Sequence, residues 1–71
     1  MPEIETNPVN SSMISAVGYD AESETLRVEF SSGRTYEYRP FSAELYTQFI
    51  NSPSLGRFFH STIKGMGGEE V

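Results

Sequence analysis

Cysteine is absent from this chain, so neither a disulfide framework nor a thiolate zinc site can hold it together. No apolar run approaches the roughly 20 residues that a membrane-spanning helix needs, and no stretch reads as a signal peptide. Thiol-free composition fits a reducing compartment, and a cytoplasmic location without a membrane partner is expected. Cations are scarce: 5 Lys and Arg stand against 10 Asp and Glu, for a net charge of −5. That balance argues against a general nucleic-acid binder, whose affinity rests on neutralising phosphates. Only one histidine is present, and no Ser-His-acid spacing surrounds it, so an enzyme is not expected. Asp20, Glu22 and Glu24 alternate like the start of a calcium loop but lack its central glycine and distal glutamate. They read as a solvated turn, and neither a metal nor a cofactor is expected. Acids are also missing locally. Between Leu45 and Gly68 the only formal charges are Arg57 and Lys64, with His60 between them.

What is present suits one small domain. A chain of 71 residues buries only about 60% of its unfolded surface, and large rings are an effective way to fill such a core. Residues 1–10 are polar and aperiodic and read as a flexible lead. Ser11 to Tyr19 is the first strand candidate, whose anchors Ile14 and Val17 have opposite parity. A bulge near Ala16 to Gly18 would turn both inward. Leu26, Val28 and Phe30 alternate with Arg27 and Glu29, a half-buried strand. The loop Ser31-Ser32-Gly33 has glycine where a three-residue hairpin needs a left-handed residue. Closing it with Phe30 opposite Arg34 sets Val28 opposite Tyr36, Leu26 opposite Tyr38, and Arg27 opposite Glu37.

Pro40 ends the third strand, and Ser42 can cap a helix through about Ile50, with Phe41 stapled on Tyr46. Ser52-Pro53 restarts the chain into a second helix carrying Leu55, Phe59 and Ile63 on one face. Gly65 ends that helix, leaving 65–71 as a mobile tail. The expected fold is α+β: a three-stranded antiparallel meander followed by a two-helix hairpin packed on one sheet face, over residues 11–64.

These residues resemble the KTSC domain family, found at the C-terminus of some lysyl-tRNA synthetases and as stand-alone bacterial proteins. The resemblance covers about Val9 to Lys64. It rests on Ser11-Ser12-Met13-Ile14, Gly18-Tyr19-Asp20, Gly33 before Tyr36-Glu37-Tyr38, then Tyr46, and Ser54-Leu55-Gly56-Arg57-Phe58-Phe59 leading to Ile63-Lys64. Ser42 stands where the family usually has proline, His60 where asparagine is common, and an aromatic after Lys64 is missing. The resemblance implies the fold, with Tyr36, Tyr38, Gly33 and Gly56 as its structural motif. It also implies binding of RNA or another nucleic acid.

The residues themselves locate that binding as follows. Tyr36 and Tyr38 share the parity of Leu26, Val28 and Phe30, so they are expected to face the helices as core, each hydroxyl reaching a polar partner at the rim. An exposed aromatic sheet for stacking bases is the alternative. Advancing 100° per residue groups Arg57, His60, Ser61 and Lys64 in one polar stripe of the second helix, the candidate anion site. The leading expectation is a monomeric, non-catalytic module that binds RNA or another polyanion weakly through this stripe. The rival is a protein-interaction adaptor using an exposed strand edge or the acidic N-terminal half.

Overall fold

A computed structural model describes residues 4–71, which run as β1 (Asn7–Pro8), β2 (Ile14–Asp20), β3 (Thr25–Phe30), β4 (Thr35–Tyr38), α1 (Ala43–Ile50), α2 (Leu55–Phe58) and β5 (Glu69–Glu70). The β3–β4 hairpin has the register its loop predicts: Leu26 faces Tyr38, Arg27 faces Glu37 and Val28 faces Tyr36. Gly33 takes φ 98°, the left-handed region that glycine enters without a Cβ penalty. Its N–H donates to the Phe30 carbonyl at 3.0 Å, and the Phe30 N–H donates to the Arg34 carbonyl at 2.8 Å. On the outer face Arg27 and Glu37 form an ion pair at 3.3 Å.

The first long strand solves its parity problem with a bulge, as expected, but at Ser15. Ile14 pairs with Phe30 while Ala16 pairs with Glu29, so the register shifts between them. Both Ile14 and Val17 thereby become buried. Gly18, expected at the bulge, has another task. A Cβ built there would lie 2.1 Å from the Glu5 carbonyl oxygen, so this glycine lets the N-terminal segment cross close to β2.

Among the described residues the sheet has five strands in the order β1-β2-β3-β4-β5, not the three expected. Asn7 and Pro8 pair with Val17 and Ala16, and Glu70 and Glu69 pair with Tyr36 and Glu37. Two-residue strands leave no periodic signal to read. Pro8 is tolerated because it sits on an outermost strand, where a missing N–H costs nothing. These strands come from the segments expected as lead and tail; residues 1–3 of that lead lie outside the described residues.

Ser42 caps α1, its hydroxyl accepting from the Leu45 N–H at 3.1 Å. The second helix starts later than Ser52-Pro53 suggests. Ser54 is the cap, accepting from the Arg57 N–H at 3.4 Å, while Ser52 closes the preceding turn onto Ser54. After Phe58 the helix widens into a π turn at Phe59–Ile63, then narrows to a 3₁₀ turn at Lys64–Met66. It stops at Gly67, with φ 74°, two residues beyond the expected Gly65.

One face of the sheet and both helices enclose Ile14, Val17, Leu26, Val28, Tyr38, Phe41, Phe49, Phe59 and Ile63. Beside this core Tyr19 organises an aromatic group. Its ring stacks on Tyr46 at 5.0 Å and meets Phe41 edge-on at 6.2 Å, and its hydroxyl donates to the Phe41 carbonyl. Burial pushes the hydroxyl pKa of Tyr38 and Tyr46 above the ordinary tyrosine value. For Tyr19 burial is again the largest cause, with the Glu24 and Asp20 carboxylates adding to it.

Two outcomes are expected. Gly18→Ala should cost about 1–3 kcal/mol by driving a methyl into backbone. Gly56→Ala should be neutral or stabilise by up to about 1 kcal/mol, because its Cβ would only touch the Met13 methyl at 3.7 Å. Urea titration of both variants checks the contrast, and equal losses would contradict the close crossing at Gly18. The tyrosines set a pH dependence. An unfolded tyrosine ionises near pH 10, and the folded ones hold their protons longer. Their contribution is therefore complete below that pH and declines as pH rises through the raised folded values. Thermal melts read with tyrosinate absorbance should show unfolding and ionisation advancing together there.

Candidate functional site

The four residues expected to form an anion-binding stripe all lie on the second helical segment, on three different turns. Arg57 belongs to α2, His60 and Ser61 to the π turn, and Lys64 opens the 3₁₀ turn; all four are exposed. A π turn advances by less than 100° per residue, so the stripe is not the regular row of an α-helix. Ser61 is partly committed to its own helix, its hydroxyl donating to the Arg57 carbonyl at 3.0 Å or the Phe58 carbonyl at 3.3 Å. Among the described residues neither Arg57 nor Lys64 is ion-paired. The other three paired cations contrast with them: Arg27 holds Glu37, Arg34 meets Glu70 at 3.9 Å, and Arg39 meets Glu69 at 3.7 Å.

Lys64 has a second environment. It stands on the rim of a groove of about 470 Å³ between the end of the β3–β4 hairpin and the last helical turn. Phe30, Tyr36, Tyr38 and Phe59 line it, with Ser32, Arg34 and the Gly67-Gly68 backbone at its margins. The rings brace one another. Phe30 meets Tyr36 edge-on at 5.7 Å and Phe59 edge-on at 5.1 Å, Tyr38 meets Phe59 edge-on at 5.7 Å, and Tyr36 lies 26° from parallel with Tyr38 at 6.4 Å. Tyr38 and Phe59 are buried at 5% and 6% exposure, whereas Phe30 and Tyr36 are half-buried and keep ring surface open to the groove. Gly68 passes so near Tyr38 that a Cβ on it would fall 2.2 Å from Cε2.

The tyrosines thus turn toward the helices, as their parity requires, but they are not equally core. Nor do their hydroxyls reach polar partners at the rim as expected. Among the described residues neither Tyr36 nor Tyr38 makes a protein hydrogen bond, and no buried side-chain oxygen is left unpaired, so the Tyr38 hydroxyl reaches solvent. A tyrosine hydroxyl, whose ordinary pKa is about 10, is protonated and a donor at neutral pH, and burial shifts that of Tyr38 further up. The groove escapes sequence reasoning because the rings that line it also belong to the core pattern. Its one sequence signal is the Gly67-Gly68 pair, which brings backbone but no side chain to the place where a helix would otherwise close the gap.

Elsewhere the surface offers less. On the outer sheet face Arg27 and Glu29 meet the N-terminal segment, where the Thr6 hydroxyl donates to the Glu29 carboxylate. Among the described residues no group of three His, Asp or Glu side chains converges as a metal site. No helix among the described residues is long and apolar enough to cross a membrane.

The KTSC domain family model matches residues 10–66, and this chain belongs to that family. It is 39% identical over 56 residues to an uncharacterized protein of Stutzerimonas stutzeri (strain A1501), covering 79% of each chain. It is 41% identical over 54 residues to a lysine–tRNA ligase of Nostoc sp. (strain PCC 7120), covering 76% of this chain and 10% of the ligase. Among solved structures it superposes on a KTSC domain protein from Yersinia pestis with a TM-score of 0.92 at 31% identity, covering 97% of this chain and 99% of that one. The α+β architecture is thus shared with that KTSC domain protein.

Proposed function

We propose that this domain is a non-catalytic module that binds RNA or another single-stranded polyanion through the Arg57–Lys64 segment. The observation that carries the reading is electrostatic. On a chain of net charge −5, the two cations without a carboxylate partner among the described residues stand on one exposed segment, which has no acid between Leu45 and Gly68. Such cations need not break an existing pair before meeting a phosphate. His60 and Ser61 lie beside them as hydrogen-bonding neighbours. A module of this kind would serve a larger tRNA-handling protein, such as the ligase relative, by adding contact to a nucleic-acid chain.

The adaptor reading has less to draw on. Strand addition needs a free edge of useful length. Here the outer strands are two residues long, one contains Pro8 and the other carries Glu69 and Glu70. Proline and charge are the features with which natural sheets discourage edge pairing.

Fluorescence anisotropy with a labelled single-stranded RNA tests the polyanion reading. Binding should appear at low salt and weaken as salt rises, with a slope of log K against log salt near −1.4 for two phosphate contacts. The Arg57→Glu, Lys64→Glu double variant should keep the folded spectrum and lose the binding. Absence of binding by the unaltered domain at low salt would contradict the proposal.

A further inference from the structure

We infer that the groove framed by Phe30, Tyr36, Tyr38 and Phe59 is a base subsite, taking one unstacked nucleobase of the same single strand whose phosphates meet Arg57 and Lys64. The inference rests on the polyanion reading and gives it a chemical choice: a strand with bases over a bare sugar-phosphate chain.

Three features of the groove select a planar, hydrogen-bonding ring attached to an anion. The first is ring surface. Phe30 and Tyr36 are only half-buried although both belong to the inward face of the sheet, and Phe30 stands 82° to Tyr36. A flat guest can lie against one ring and meet the edge of the other, the two favourable geometries for aromatic pairs. Base–aromatic stacking needs nothing more specific, since every base has a π-face.

The second feature is an unpartnered polar group. The Tyr38 hydroxyl reaches solvent without a protein partner among the described residues and stays protonated. Tyr38 lines the groove, so its hydroxyl is a donor available to a polar guest and left unmet by an aliphatic one.

Charge at the mouth is the third feature. Lys64 and Arg34 both border the groove, so the backbone of a base inserted there would have a cation near it. Lys64 also belongs to the exposed cation segment, which makes the groove and that segment one continuous surface. Among the described residues Arg34 is held only by Glu70 at 3.9 Å, with both side chains more than half exposed; such a pair is worth little and is readily exchanged for a phosphate. The groove volume of about 470 Å³ lies within the range of small-molecule sites.

The test compares two probes of equal length, an oligoadenylate of about eight nucleotides and an abasic ribose-phosphate strand, by anisotropy at low salt. The unaltered domain should bind the oligoadenylate about tenfold more tightly, the size of one stacking contact. Tyr36→Leu, which keeps apolar bulk but not the flat ring, should bring oligoadenylate binding down to the abasic level. Equal affinity of the unaltered domain for both strands would overturn the base subsite and leave the polyanion reading standing. No binding of either strand would overturn both. Because the unaltered domain alone decides between these outcomes, a Tyr36→Leu chain that fails to fold does not shield the inference.

Discussion

The loop between β3 and β4 decides on which side of the sheet the central rings stand. Gly33 can enter the left-handed region at φ 98°, the loop therefore closes over three residues, and Val28 comes to lie opposite Tyr36. Side chains alternate along a strand, so slipping the pairing by one residue would send Tyr36 and Tyr38 to the outer face and Glu37 into the core. A buried, unpaired carboxylate beside aromatic rings would be strongly unfavourable. In the observed register Glu37 instead meets Arg27 at 3.3 Å on the outside, and the rings meet Phe30 and Phe59 on the inside. The side of the sheet on which the rings stand follows from that single choice.

Much of this was legible in the residues. Period-two alternation and the position of Gly33 were enough for the hairpin, its register and the Arg27–Glu37 pair, because each depends on neighbours a few residues apart. Ser42 was legible as a cap for the same reason. Ile14 and Val17 announced a bulge by their parity, but not its position. Only the contact between Gly18 and the Glu5 backbone shows that the glycine serves close approach, and that contact spans distant parts of the chain. β1 and β5 were illegible because two residues are too few for periodicity and pair only through an existing edge. Tyr19, Phe41 and Tyr46 illustrate the same limit: the staple before the Ser42 cap linked Phe41 to Tyr46, but only the structure adds Tyr19 from β2, which stacks on Tyr46 and meets Phe41 edge-on.

The candidate site divides in the same way. Arg57, His60 and Lys64 were visible as a stretch empty of acids, a property of the linear sequence. Their arrangement was not, since no simple propensity signals the π turn at Phe59–Ile63. The groove was hidden for a different reason. Its rings obey the core pattern, yet Tyr36 and Phe30 stay half-buried beside the point where the helix ends at Gly67 and Gly68 crosses Tyr38. The first choice posed by the tyrosines, core or stacking platform, therefore has an intermediate structure: Tyr38 is core, and Tyr36 is core on one side and groove wall on the other.

The central claim is that a base lies against Tyr36 while the adjoining phosphates lie along the Arg57–Lys64 segment. Intermolecular nuclear Overhauser effects in a complex with a short single-stranded RNA test it most directly. The account predicts contacts from base protons to the ring protons of Tyr36 and Phe30, with those base protons shifted upfield by the rings. Contacts confined to the Arg57 and His60 side chains, with the Tyr36 and Phe30 rings unperturbed, would contradict it.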